Sequence, residues 1–289
     1  MTTGRCRRAG GNPRRLRALR FNPAAVVGGA LIAAVVLFCF VGPLVYHSDQ
    51  ITANIDVTNL PPGPGRPLGT DANGYDILGR LMVGGQSALE IGAAVAGIAT
   101  TFGVVWGVIA GFFGRFIDAI MMRIVDVVLA LPAIFVLIYL ASVAKPTIGL
   151  LIGVLAALSW LGPARLIRGE TLSLKTREYV AAADGMGARA GRIILRHLLP
   201  NTIGTIVVNL TFQAADAIIA LATLSFLGFG LPSPAVNWGG MLSQGTAFLP
   251  DGYWWEVYPA GGLIMITVVA FNFLGDALRD ALDGRLERR

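Results

Sequence analysis

Six long apolar stretches punctuate the chain, at about residues 24–45, 91–113, 127–144, 147–164, 202–229 and 258–275. A hydrocarbon core about 30 Å thick needs a helix of about 18 or more apolar residues to cross it. Each stretch therefore predicts a transmembrane helix, and the chain reads as an all-α polytopic membrane protein with six spans. Only Lys145 and Pro146 separate the third stretch from the fourth, so those two spans are expected to form a helical hairpin. Between the fourth and fifth the pattern changes. Residues 165–200 are polar, basic and interrupted by glycine, and a charged hairpin held between two spans is expected to present a surface to a partner.

Composition agrees with this picture. Over 289 residues, 55% are hydrophobic and 14% charged, with a mean hydropathy of +0.67. These values exclude an ordinary globular domain. Charge sets the orientation, because cytoplasmic loops retain Lys and Arg during insertion. With the N-terminus inside, only Arg66, Arg80 and Lys145 of the 23 basic residues fall outside, so both termini are expected in the cytoplasm. Positive-inside charge also accounts for the pI near 9.8 without a nucleic-acid partner. The first apolar run is too long for a secretory signal, and no small-x-small cleavage site follows it before His47.

The organisation that follows is a basic tail over 1–23, a first span over 24–45, an external segment over 46–90, a core over 91–275 and a cytoplasmic tail over 276–289. In the external segment, Asp71 or Asn73 is expected to cap a short amphipathic helix over 75–82, lying on the membrane surface. That helix is either an interfacial anchor or a rim for a soluble delivery protein. In the second external segment, 230–257, Trp238, Tyr253, Trp254 and Trp255 fit an aromatic belt at the headgroup level.

Candidate chemistry is sparse. Cys6 and Cys39 lie in the tail and in the first span and cannot pair, and His47 and His197 fall on opposite sides of the membrane, so no metal site is expected. Neither lysine sits in a G-K-[ST] phosphate-binding loop, and peptidase motifs are absent. The chain is therefore not expected to be an enzyme. In the fifth span Asn209, Gln213 and Asp216 share one face by i, i+4, i+7 spacing. Polar groups at that depth face a cavity or a partner, so these three either line a solute path or form a polar seam to another subunit. Asn272 and Asp276 in the sixth span read as helix-packing or terminal groups.

In the hairpin, a helix continuing from span four over 165–183 is expected to break at Gly185 and Gly187. A second helix from about 188 is then expected to end at Pro200. Its Arg189, Arg192 and Arg196 form a basic face, with Ile194, Leu195, Leu198 and Leu199 opposite. Such a helix could lie on anionic headgroups or form one limb of a docking hairpin. Its place between two spans favours docking.

These residues resemble a known signature. Ala181, Ala182 and Ala183, three residues, Gly187, nine residues and then His197, Leu198, Leu199 and Pro200 are similar to the EAA motif of binding-protein-dependent ATP-binding cassette (ABC) importer permeases. Two letters depart, Ala181 for Glu and His197 for Ile. LGTDANGYDILGRL (68–81), ARLIRGETLSLKTREYVAAA, RHLLPN, LSFLGFG, WGGML and FNFLGDALRDALD resemble, in order, the blocks of the C-type subunit of oligopeptide/dipeptide permeases. The usual Glu before LSFLG is replaced by Leu221. The resemblance implies a type I ABC importer permease fold in a bacterial inner membrane. It also implies a second, B-type permease subunit, two ABC ATPases that bind ATP and Mg, an extracytoplasmic peptide-binding protein and surrounding lipid as partners. No cofactor is expected in the chain itself.

The resemblance further assigns ATPase coupling to Glu178, Tyr179, Ala181, Ala182, Ala183, Asp184, Gly185, Met186, Gly187, Arg189, Arg192 and Pro200. ATP-driven closure of the ATPases would push this element as a rigid body. The same architecture also serves nickel or other small solutes. A secondary transporter that works without ATPases is the alternative from another class, but the chain shows no convincing internal repeat.

Overall fold

The computed structural model describes residues 23–143 and 145–283. The basic tail before Pro23, with Cys6, and residues 284–289 lie outside them. The described residues are helical throughout their ordered elements. In chain order these are α1 (Pro23–Phe40, followed by a helical turn at Gly42–Val45), α2 (Ile77–Phe113), α3 (Arg115–Leu129), α4 (Ala133–Ser142), α5 (Ile148–Ser159) and α6 (Leu161–Lys175). Then come α7 (Glu178–Gly185), α8 (Ala190–Ile193), α9 (Leu199–Leu224), α10 (Trp238–Thr246) and α11 (Tyr258–Asp283).

Among the described residues, five helical stretches are long and apolar enough to cross a membrane: Pro23–Val45, Ile77–Phe113, Ile148–Lys175, Ala190–Phe229 and Trp254–Leu282. The span expected over 127–144 is not one straight helix but falls in a bent pair over 115–142 that is long and apolar enough only when its two pieces are taken together. Its two pieces, α3 and α4, meet at 80°. Pro132 explains the break, because it offers no N–H to the preceding turn and pushes Leu131 out of helical geometry. The expected hairpin is present in altered form, with α4 and α5 packed together across the Lys145–Pro146 connection.

The short surface helix expected over 75–82 does not exist as a separate element. Residues 77–113 form one helix of 37 residues, about 55 Å long at 1.5 Å per residue. Its cap is Asp76, whose Oδ1 accepts the Gly79 N–H at 2.8 Å. Neither Asp71 nor Asn73 caps it. Asp71 Oδ1 instead accepts the N–H groups of Asn73 and Tyr75 at 2.9 and 3.0 Å, which closes the loop that leads into the helix.

The segments over 46–76 and 230–257 are a folded cap on the Ile77 end of α2. Arg80, only 2% exposed, places Nε 3.1 Å from Asp71 Oδ2 and lays its guanidinium over the Tyr75 ring at 4.0 Å. Burial pushes the Asp71 carboxyl above the ordinary carboxylate value, against the pull of Arg80 and of the nearby backbone N–H groups. Trp238 and Trp255 are core residues here rather than members of an aromatic belt. The Trp238 indole donates to the Leu81 carbonyl at 2.8 Å, and Trp255 donates to the Thr70 carbonyl at 3.3 Å. A buried indole needs such an acceptor. Among these four aromatics, Trp254 keeps an exposed face and Tyr253 is half-buried.

The most extensive helix pairing among the described residues is α2 against α6. Gly103, Gly107 and Gly111 stand four residues apart on one face of α2. A Cβ at these positions would lie 2.6 Å from Pro163 Cβ, 2.5 Å from the Ala164 carbonyl oxygen and 2.8 Å from Thr171 Cβ, respectively. Small residues at such spacing let two backbones touch in the absence of a hydrophobic drive between helices. Gly107→Ala is expected to destabilise the protein by about 1–3 kcal/mol through overpacking. Gly97→Ala, whose Cβ meets open space, should leave stability unchanged or raise it slightly. Thermal unfolding in detergent separates the two.

Candidate functional site

The hairpin between α6 and α9 is built from two faces with different tasks. α6 ends at Lys175, and after a turn through Thr176 the chain enters α7. Val180 from α7, with Ile193 and Leu198 from the returning limb, forms a small buried cluster against Phe112 of α2 and Leu174 of α6. Lys175 adds a clasp, donating from Nζ to the Phe112 carbonyl at 2.6 Å. The inner face is thereby fastened to the ends of both long helices.

Gly187 makes the reversal. Its φ of +77° is left-handed, a region that costs any residue with a Cβ. Gly187 N–H bonds the Asp184 carbonyl at 2.8 Å and Ala188 N–H bonds the Ala183 carbonyl at 3.1 Å. That pair of bonds is the Schellman pattern that terminates a helix at glycine. Gly185, by contrast, lies inside the last turn of α7 with no positive φ and open space where its Cβ would be. Its contribution is the absence of a side chain at the surface.

The predicted coupling residues divide accordingly. Glu178, Tyr179, Ala181, Ala182, Asp184, Gly185, Met186, Gly187, Arg189 and Arg192 are exposed, Met186 at 82%. Ala183 is buried in the hairpin's own packing, so it cannot face a partner. Pro200 does not end a helix. The returning limb runs without interruption through α8, a wide π turn at Ile194–Leu198 and α9. The π turn carries the Leu199 N–H to the Ile194 carbonyl just ahead of Pro200. It also rotates the expected apolar face, so that Ile193 and Leu198 are buried while Leu195 is 68% exposed.

The three polar residues of the fifth span are not brought together on one open face. Gln213 is buried and its Nε2 donates to the Ser159 carbonyl, joining α9 to the α5–α6 junction. Asn209 is half-buried, and Asp216 is exposed. At 100° per residue Gln213 and Asp216 stand about 60° apart, which is enough to place one inside the bundle and the other outside it. Gln213 is thus a helix-packing group in this structure, and it leaves the set of path-lining candidates.

The chain matches the family model described as binding-protein-dependent transport system inner membrane component over residues 103–288, which is more than half its length. The chain belongs to that family. A second model, the N-terminal transmembrane domain of oligopeptide transport permease C, matches residues 14–62. Among similar proteins, the dipeptide transport system permease protein DppC of Bacillus subtilis is 38% identical over 272 residues, covering 94% of this chain and 85% of that protein. The oligopeptide transport system permease protein OppC of the same organism is 38% identical, covering 93% and 88%. The OppC of Haemophilus influenzae is 36% identical, covering 91% and 85%.

In this permease the hairpin is a ledge at one end of the α2–α6 pair, held there by the Val180, Ile193 and Leu198 cluster. Its exposed outer face carries Ala181, Ala182 and Gly185 among Tyr179, Met186, Arg189 and Arg192. Two nearby ion pairs are not legible in the sequence. Asp118 and Asp126 of α3 pair with Arg168 and Arg165 of α6, arginines that topology alone accounts for in the linear chain. The acids sit eight residues apart on α3, each three residues after a basic residue of its own helix, Arg115 and Arg123, so helical spacing points to local pairs, whereas the actual partners lie 50 and 39 residues away.

Proposed function

We propose that this permease subunit forms half of the translocation path of an ATP-driven importer that takes up di- or oligopeptides delivered by an extracytoplasmic binding protein. The observation that carries the reading is the two-faced hairpin. Its inner face is locked to α2 and α6 by Val180, Ile193, Leu198 and Lys175. Its outer face offers Ala181, Ala182 and Gly185 within a frame of exposed Tyr179, Met186, Arg189 and Arg192. Small residues allow a partner's surface to approach the backbone, and the larger side chains supply the anchoring area. An ATPase subunit bound there would move α7 and α6 together. ATP and Mg would then bind to that partner, a B-type permease subunit would complete the path, and both termini of this chain would lie in the cytoplasm with the hairpin.

The peptide cargo is drawn from the similar dipeptide and oligopeptide permeases, and the residues that contact it are left to the second subunit and to open faces such as that of Asp216. Deletion of residues 178–192 tests the reading. The shortened permease should still insert and bind its second permease subunit, whereas co-purification of ATPase subunits and uptake of labelled peptide should both be lost. Peptide uptake that persists without ATP would overturn it.

A further inference from the structure

Little of α3 is buried within the bundle. Among its fifteen residues only Val125 is buried, and Phe116, Ile117, Ile120, Ile124 and Val127 are all exposed, Phe116 at 76%. Its far end turns by 80° into α4 at the break before Pro132. Apart from its covalent link to α2 and the Trp106 indole bond to the Met121 carbonyl at 3.4 Å, its polar ties run to α6. Arg168 grips Asp118 with both prongs, Nε to Oδ1 at 2.9 Å and Nη2 to Oδ2 at 2.5 Å. Arg165 pairs with Asp126 through Nη2 and Oδ1.

The two ties are unequal. The Asp118–Arg168 pair is bidentate and its carboxylate is mostly shielded, at 14% side-chain exposure. Geometry of that kind is both stronger and more directional than a single contact. The Asp126–Arg165 pair is about half exposed on both sides, where an ion pair contributes little.

α6 is also the helix that continues into the docking hairpin. It is pressed backbone to backbone against α2 and clasped by Lys175, so it moves with α7. A bidentate link from such a rigid element to a broken, sparsely packed span is a mechanical connection.

We infer that Asp118, with Asp126 in a lesser part, is a positioning residue for transport, tying the broken α3–α4 span to the α6 lever so that motion of the hairpin reaches the membrane path. The inference rests on the proposed ATPase docking at α7. If it holds, losing the tie leaves docking and ATP hydrolysis intact and disconnects them from the path. A purely structural pair would instead lower assembly, hydrolysis and uptake together.

The test uses the intact importer reconstituted in vesicles with its ATPases, second permease subunit and binding protein. Asp118→Asn is expected to keep ATPase co-purification and to change ATP hydrolysis little, while uptake per ATP falls about tenfold. Asp126→Asn should have a smaller effect. The exchange Asp118→Arg with Arg168→Asp should restore most of the coupling, as interacting pairs do in double-mutant cycles. Should Asp118→Asn fail to assemble, Arg168→Lys keeps the charge but removes the two-pronged grip, and it should show the same loss of uptake per ATP to a lesser degree. Unchanged uptake per ATP in an assembled variant, or no recovery in the exchange, would overturn the inference. Failure of ATPases to co-purify with the unaltered permease would instead refute the docking reading.

Discussion

Arg80→Met is expected to destabilise the protein by about 3–5 kcal/mol, the usual cost of leaving one member of a buried ion pair without its partner. Arg80 is 2% exposed and Asp71 is its charge partner, so methionine fills much of the volume but strands a carboxylate in a site that already disfavours charge. The damage should be local to the cap at first, because Asp71 also organises the loop through the N–H groups of Asn73 and Tyr75. The control is the double variant Arg80→Met with Asp71→Asn. Asparagine keeps an oxygen for the two N–H groups and removes the charge, so the double variant should recover more than half of the loss. Thermal unfolding together with proteolysis of the 46–76 loop, in detergent and in lipid, measures both. A single variant as stable as the parent would show that the pair is not a lock.

The second large effect concerns docking. Ala182→Trp places a bulky ring on the exposed face of α7 and leaves the inner cluster of Val180, Ile193 and Leu198 untouched. The permease should fold as before. Its affinity for ATPase subunits should fall about 30-fold or more, corresponding to the loss of about 2 kcal/mol or more at the centre of an interface, and uptake should fall with it. Ala183→Trp is the contrasting case, since Ala183 is buried and the ring would unseat the hairpin itself. Binding of purified ATPase subunits, set beside unfolding temperature, distinguishes a blocked surface from a broken one. Tight binding by Ala182→Trp would mean that the partner docks elsewhere.

Much of this architecture is legible in the linear chain, for reasons that particular residues make plain. Apolar runs report the hydrocarbon core directly, which is why the spans around Cys39, Leu155, Ile218 and Ala270 are where they are expected. Gly187 is legible because a helix stop in left-handed geometry favours glycine. The 68–81 motif is recognisable as a block, but its physical content is not. That Asp76 caps α2 in place of Asp71 or Asn73, and that Arg80 folds back over Tyr75 onto Asp71, depend on the loop closing in three dimensions. The π turn before Pro200 is similarly hidden, since Ile194–Leu198 carry no mark that separates them from an ordinary helical turn.

By itself, the sequence determined that the chain crosses the membrane, where its apolar stretches lie, that a basic hairpin interrupts them and to which family the whole belongs. The tertiary structure alone decided that α2 runs unbroken through two expected elements, that the third span is bent at 80°, that Trp238 and Trp255 are core, and that Gln213 turns inward while Asp216 does not. The physical reason is that lipid tails and helix interiors are equally apolar. A pattern of hydrophobic positions can therefore announce a buried face without saying whether lipid or another helix covers it. That choice is made by close backbone contacts such as those of Gly103, Gly107 and Gly111, and by polar pairs such as Asp118 with Arg168, whose members are distant in the chain.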